Sequence, residues 1–165
     1  MNDTTFAEGL IAELEAEAPA TKNCLKEIKS TFFSYKPHPR SMEMGYLALL
    51  VAEIPLWIPY TIAHGEIDFA TFKHHTATGP DDLVKHFEEN MAKAKEELSR
   101  VKDGDLDANF DLKQNGEVMF SSTKRESIES MINHMVHHRG QLTVYMRLND
   151  IPVPSIYGPS ADTRL

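Results

Sequence analysis

Several things are scarce in this chain, and each scarcity narrows what it can be. Its 165 residues hold a single cysteine, Cys24, between Thr21-Lys22-Asn23 and Leu25-Lys26, so no disulfide can close within the chain and a reducing, intracellular setting is expected. Positive charge is short as well: 17 Lys and Arg stand against 25 Asp and Glu, for a formal net charge of -8. The basic residues are scattered rather than gathered into a stripe, so phosphate backbones are repelled and no nucleic-acid partner is expected. No segment reads as the roughly 20 uninterrupted apolar residues of a membrane span. The N-terminus, with Asp3, Glu8 and Glu13, lacks the basic start of a signal peptide. These absences together predict a cytoplasmic protein with no membrane partner, in which residues 1–165 form one domain large enough to bury a core without staples.

What is present is helical periodicity. Phe6, Leu10 and Leu14 recur every four residues and are followed by Leu25, Ile28 and Phe32, which predicts a first helix kinked or broken near Pro19. After the Lys36-Pro37-His38-Pro39 turn, Ser41 is positioned to cap a second helix with Leu47, Leu50, Val51, Ile54 and Ile58 on one side, bent at Pro55. Gly79-Pro80 opens a third, with Asp81 and Asp82 in its first turn and Leu83, Phe87, Met91, Ala94 and Leu98 in period. Between residues 105 and 121 the pattern shortens around Asn115-Gly116, the dipeptide favoured in a type I′ hairpin turn. Thr123-Lys124-Arg125-Glu126 has capping-box spacing, and Ile128, Met131, Ile132, Met135, Leu142, Tyr145 and Met146 mark the core side of a fourth helix ending near Asn149. The Pro- and Gly-bearing tail from Ile151 can be ordered only by lying against the helices. Four helices with one long crossover make a bundle.

The stretch most suggestive of chemistry is His134-Met135-Val136-His137-His138-Arg139-Gly140-Gln141-Leu142. Residues four apart on a helix stack one turn above the other, so the imidazoles of His134 and His138 are within reach of one metal ion. On a wheel of about 100° per residue the pair lies along one margin of the apolar stripe, while His137 points to the polar side. Gln141 is placed to hydrogen-bond a ligand or orient an imidazole, and Arg139 turns toward the packed side, where it calls for a carboxylate. Two histidines on a core margin are equally at home as ordinary hydrogen-bonded residues, and both readings stay open at this stage. Trp57 and Tyr60 can line a pocket or simply fill the core. Cys24 reads as a small core residue. His64 belongs at the far end of the bundle, His74 and His75 in an exposed loop, and His38 between prolines.

His134 to Leu142, continued by Tyr145-Met146-Arg147-Leu148 and Ile156-Tyr157-Gly158-Pro159-Ser160-Ala161-Asp162, resembles the DinB-like (DinB/YfiT) superfamily. So do Tyr35 to Met42 and Leu47 to Pro55, and the resemblance covers nearly the whole chain. It implies an all-α protein: an up-down four-helix bundle with a small β-hairpin before the last helix, often a homodimer. It also implies a nickel or zinc site made by three histidines and, among relatives with known reactions, thiol-dependent transfer using a low-molecular-weight thiol. Carried over by residue, the two late histidines of the triad match His134 and His138, but the first matches Leu50, which has no lone pair to donate. Glu53, one turn beyond Leu50, is the expected substitute ligand, with a salt bridge as the plainer alternative. Gln141, Trp57 and, if the tail covers the site, Tyr157 are the expected small-molecule contacts. Two functions remain: a metal-assisted thiol-dependent transferase with an incomplete triad, or a metal-free ligand-binding or interaction protein that has lost catalysis.

Overall fold

The computed structural model describes residues 2–163 and is mostly helical, with four long helices and a small three-stranded sheet. Helix α1 spans Asp3–Lys26; its first orphan donors are met by the Asn2 side chain, which accepts from the Thr5 amide at 2.9 Å. It is not broken at Pro19, contrary to expectation, and runs through it. A proline inside a helix costs about 3 kcal/mol. Here Ala7, Leu10 and Leu14 before it and Cys24 and Leu25 after it are all buried, and that continuous apolar seam outweighs the local penalty.

Helix α2, Met44–Ala63, starts at Glu43 rather than at the expected Ser41 cap. No side chain caps it. The preceding segment does so instead: the Met44 and Gly45 amides donate to the carbonyls of Tyr35 and Phe33, both at 2.9 Å. That contact needs Gly45, because a Cβ there would stand 2.7 Å from Phe33 Cγ. α2 is also apolar on nearly every side, with fourteen of its 20 residues buried. By length and composition alone α2 could cross a membrane, but Glu53 interrupts its apolar run and 67% of its most apolar stretch is buried inside the protein. It is the central helix of the core, which is why it shows no polar face.

Helix α3, Pro80–Leu98, has Pro80 in its first turn and buries Leu83, Phe87, Met91, Ala94 and Leu98 as the period predicts. Helix α4, Lys124–Leu148, opens on the full Thr123/Glu126 capping box and closes at Asn149. Between them β2 (Asn109–Gln114) and β3 (Glu117–Thr123) form the expected hairpin. Asn115 and Gly116, at φ 54° and 80°, supply the two positive dihedrals of a type I′ turn. A strand the sequence reading did not foresee, β1 (Glu66–Asp68), pairs parallel with β2, so the chain is not purely α. The Asp68 carboxylate accepts from the amides of Asn115 at 3.1 Å and Gly116 at 2.7 Å, clasping the turn.

The helices pack in the cyclic order α1, α3, α2, α4, with little contact between α1 and α2. Cross-links fix their directions. Tyr145 reaches the Met42 carbonyl and Lys124 the Ile62 carbonyl, so α2 and α4 are antiparallel. His86 faces Glu53 while Lys93, Glu96 and Glu97 share a cleft with Pro59, Tyr60 and His64, so α2 and α3 run the same way. Asp3 to Arg125 and Glu17 to Arg139 make α1 and α4 parallel. The expected up-down path is therefore replaced by one in which the long connection 64–79 carries the chain back to start α3 alongside α2. The tail lies on the helices as expected, through buried Ile151 and the Arg147–Asp162 pair.

Gly45→Ala is expected to force Phe33 out of place and to lower stability by about 1–3 kcal/mol, the usual cost of overpacking. Urea unfolding of the two proteins measures this, and equal midpoints would show that Phe33 yields freely.

Candidate functional site: a histidine pair beside a buried glutamate cluster

The His134 and His138 rings face one another with centroids 4.5 Å apart and planes tilted 46°, on the side of α4 that meets α2. Trp57 of α2 packs 5.6 Å from the His134 ring. His138 is buried, and its Nδ1 lies 2.8 Å from Gln141 Oε1. Because that oxygen can only accept, Nδ1 donates, and in the neutral ring the lone pair is then on Nε2. His134 is more exposed, yet burial of part of its ring, with His138 and His137 adding like charge, pushes its pKa down to about 4. It is thus a neutral imidazole at pH 7. His137, as expected, is exposed.

The third corner of this site is aliphatic. Leu50 lies two turns nearer the start of α2 than Trp57 and on the same face, which in the antiparallel α2/α4 pair is on the His138 side of His134. Leu50 is buried there. Glu53, the expected substitute, is fully buried but committed elsewhere. Its Oε2 lies 2.5 Å from His74 Nδ1, its Oε1 accepts from the His75 amide at 3.0 Å, and His86 Nε2 stands at an ion-pair distance of 3.8 Å. Among the described residues no three of His, Cys, Asp and Glu are gathered so as to hold a metal ion. The expected set of His134, His138 and Glu53 is therefore not assembled: the donors present are two imidazoles, and they do not fit a three-ligand metal centre.

The cluster around Glu53 went largely unread in the sequence. His74 and His75 are in the loop as expected, but only about a third of each side chain is exposed. The His75 ring stacks on His86 at 4.3 Å and reaches the Asp82 carboxylate at 3.0 Å, while Asp82 also accepts from the Thr78 amide. Burial raises the Glu53 pKa, but His86, the His75 amide and His74 outweigh it and hold the carboxyl below its ordinary value. The available signal was Glu53 itself, the one charge in an apolar helix, since a buried carboxylate requires partners. His86, one residue before buried Phe87 and four before buried Asn90, sat on a core margin that marked it as one of them.

The other expected contacts divide. Gln141 orients His138, and Trp57 forms the wall against His134. Tyr157 lies elsewhere: its hydroxyl accepts from Arg139 at 2.9 Å and donates to Glu17 at 3.0 Å, completing a node in which Arg139, 1% exposed, also pairs with Glu17 Oε2 at 2.6 Å. The carboxylate expected for Arg139 is thus Glu17. Cys24 is buried, and desolvation, opposed by Arg139, raises its thiol to about 11, so it stays protonated and is no nucleophile at neutral pH. A cavity of about 540 Å³ between α1 and α3 and another of about 620 Å³ beside β1 are both lined by other residues than the histidine pair.

A family model described as the DinB family matches residues 1–163. The fold is similar to the crystal structure of a DinB-like protein from Bacillus subtilis, with a TM-score of 0.66 and 21% identity over 94% of this chain and 99% of that one. It is also similar to a DinB-like protein from Bacillus cereus, with a TM-score of 0.65 and 20% identity over 91% and 97% of the two chains. A 32-residue stretch is 53% identical to the uncharacterized protein YrdA of Bacillus subtilis, covering 19% of each chain.

Two outcomes follow from these electrostatics. His134 has a folded pKa of about 4, below its unfolded value of 6.5, so the unfolded chain takes up its proton first and the stability present above pH 6.5 is lost as pH falls toward 4. Glu53, also depressed, adds loss of the same sign below its ordinary range. NMR titration should find His134 still neutral at pH 5.5; a midpoint near 6.5 would contradict the packing described. Glu53→Ala should cost about 3–5 kcal/mol, as for breaking a buried ion pair, and raise amide exchange across residues 64–79. Unchanged exchange there would mean that Glu53 does not hold the loop.

Proposed function

We propose, for a chain that belongs to the DinB family, that His134 and His138 are its working groups and that they bind a small organic molecule rather than a resident metal ion. The observation that carries this is Leu50, a buried aliphatic side chain on the Trp57 face of α2, at the position where the family resemblance puts the third donor. Two imidazoles alone hold a divalent ion weakly. What they offer instead is directional hydrogen bonding: His138 Nε2 accepts, so the ligand must present a hydroxyl, thiol or N–H group there. Leu50 and Trp57 favour an apolar or aromatic body beside that group. A cytoplasmic setting belongs to the same proposal.

The second reading, a metal-assisted thiol-dependent transferase, draws support from the neutral state of His134, since metal ligation requires a free lone pair. It needs a donor from outside the described residues, which a low-molecular-weight thiol would have to supply. Calorimetry with zinc and with nickel separates the two. The parent chain is expected to bind either ion weakly, and Leu50→His to tighten binding by about 100-fold, in the range by which ligand-sphere changes alter metal affinity. Stoichiometric nickel or zinc in the purified parent, lost in His138→Ala, or thiol transfer abolished by a chelator, would reject the ligand-binding reading.

A further inference from the structure

In the cyclic order of the helices, the α1/α3 seam is opposite the α2/α4 seam that holds the histidine pair. Ala18 and Pro19 of α1 face Phe87, Met91 and Ala92 of α3 there across a cavity of about 540 Å³, inside the ~300–1,000 Å³ range of small-molecule pockets. Phe87 and Met91 are buried members of the core, so the floor is hydrocarbon. The two alanines and the proline ring make short apolar walls, and Pro19 has no N–H to donate.

The rims are ionic. Glu15 pairs with Lys95 at 2.9 Å and Lys22 with Glu88, so two bridges about two turns apart tie α1 to α3 across the seam. Both carboxylates that line the cavity are thereby spent. The third lysine of the lining, Lys26, has no carboxylate within ion-pair distance among the described residues, and the side chain of Asn23, three residues before it, makes no hydrogen bond there. Lys26 and Asn23 also line an adjoining space of about 200 Å³ against Pro152, Val153 and Pro154 of the tail. Three lysines against two glutamates leave this cleft with one uncompensated positive charge, in a chain whose net charge is -8.

We propose that the α1/α3 cleft binds a small apolar monocarboxylate. Its hydrocarbon body lies over Phe87 and Met91 between the Ala18, Pro19 and Ala92 walls, and its two oxygens accept from the Lys26 ammonium and the Asn23 amide. One free ammonium balances one negative charge, whereas a phosphate monoester, with up to two, would keep a surplus. The site shares no residue with the histidine pair and does not rest on what that pair binds.

Calorimetry of the full chain with octanoate, decanoate and decanol tests this. Saturable one-to-one binding of decanoate is expected, about 15-fold tighter than octanoate, which is the ~0.8 kcal/mol of each of two buried methylenes converted. Ala92→Phe puts a ring into the cleft and should weaken decanoate at least about 10-fold, as for losing the burial of two methylenes. Lys26→Gln should weaken decanoate about 10-fold, as for a lost hydrogen bond to a charged group, and leave decanol unchanged. Both positions are exposed, so the ligand-free variants should melt with the parent. No saturable uptake of decanoate, uptake that survives Ala92→Phe, or uptake abolished instead by His138→Ala would overturn the site. Decanoate and decanol responding alike to Lys26→Gln would overturn the carboxylate contact.

Discussion

One buried carboxylate organises the centre of this molecule. α2 is enclosed by its neighbours on almost every side, and its only charge, Glu53, is wholly removed from solvent. An ionised carboxylate in that setting is tolerated only with hydrogen bonds or counter-charges supplied by the protein. They come from two directions at once: from the loop, through His74 and the His75 amide, and from α3, through His86. The same constraint therefore anchors the long connection and sets α3 beside α2. Because α2 and α3 run in the same direction, the chain needs an extended return, and the Glu53 cluster is what gives that return a fixed course.

The commitment of Glu53 has a chemical consequence across the helix. A carboxylate spent on the loop and α3 is not available to the face of α2 that meets α4, where Trp57 packs against His134 and Leu50 is buried two turns away. The two sites share one helix and divide its polar capacity unequally. One receives a carboxylate and several histidines; the other keeps two imidazoles beside Trp57. Gln141 adds direction to the second by settling which nitrogen of His138 is free. The proposed role, recognition of a protic group on an organic molecule rather than of an ion, rests on that division.

Most of the helical framework was legible in the sequence because amphipathic period and capping chemistry are local. α3 and α4 stand where Gly79-Pro80 and the Thr123/Glu126 box place them, and the hairpin turns at Asn115-Gly116. What was not legible depended on partners distant in the chain. The start of α2 is set by carbonyls of Phe33 and Tyr35, not by Ser41, and Pro19 is overridden by a buried seam on both sides of it. β1 forms only because β2, more than forty residues later, offers it an edge. At the site, the motif and wheel placed His134, His138, Gln141 and Trp57 together, and correctly turned Arg139 inward. The same reasoning put Glu53 near the pair, because spacing along one helix says which residues are neighbours but not which of two flanking helices claims them.

The Arg139 node bears on how the chain acquires its structure. Arg139 on the last helix is satisfied only when Glu17 and Thr21 of the first and Tyr157 of the tail are all in place. The contacts to Glu17 and Thr21 span more than a hundred residues of sequence, and contacts of that kind form late. During synthesis α1 emerges long before its ionic partner exists, so Glu17 must wait in water until α4 and the segment carrying Tyr157 have left the ribosome. Completion of this node is thereby deferred until Arg139 and Tyr157 have been translated, and any product that stops short of them retains an unfinished seam between its first helix and the rest.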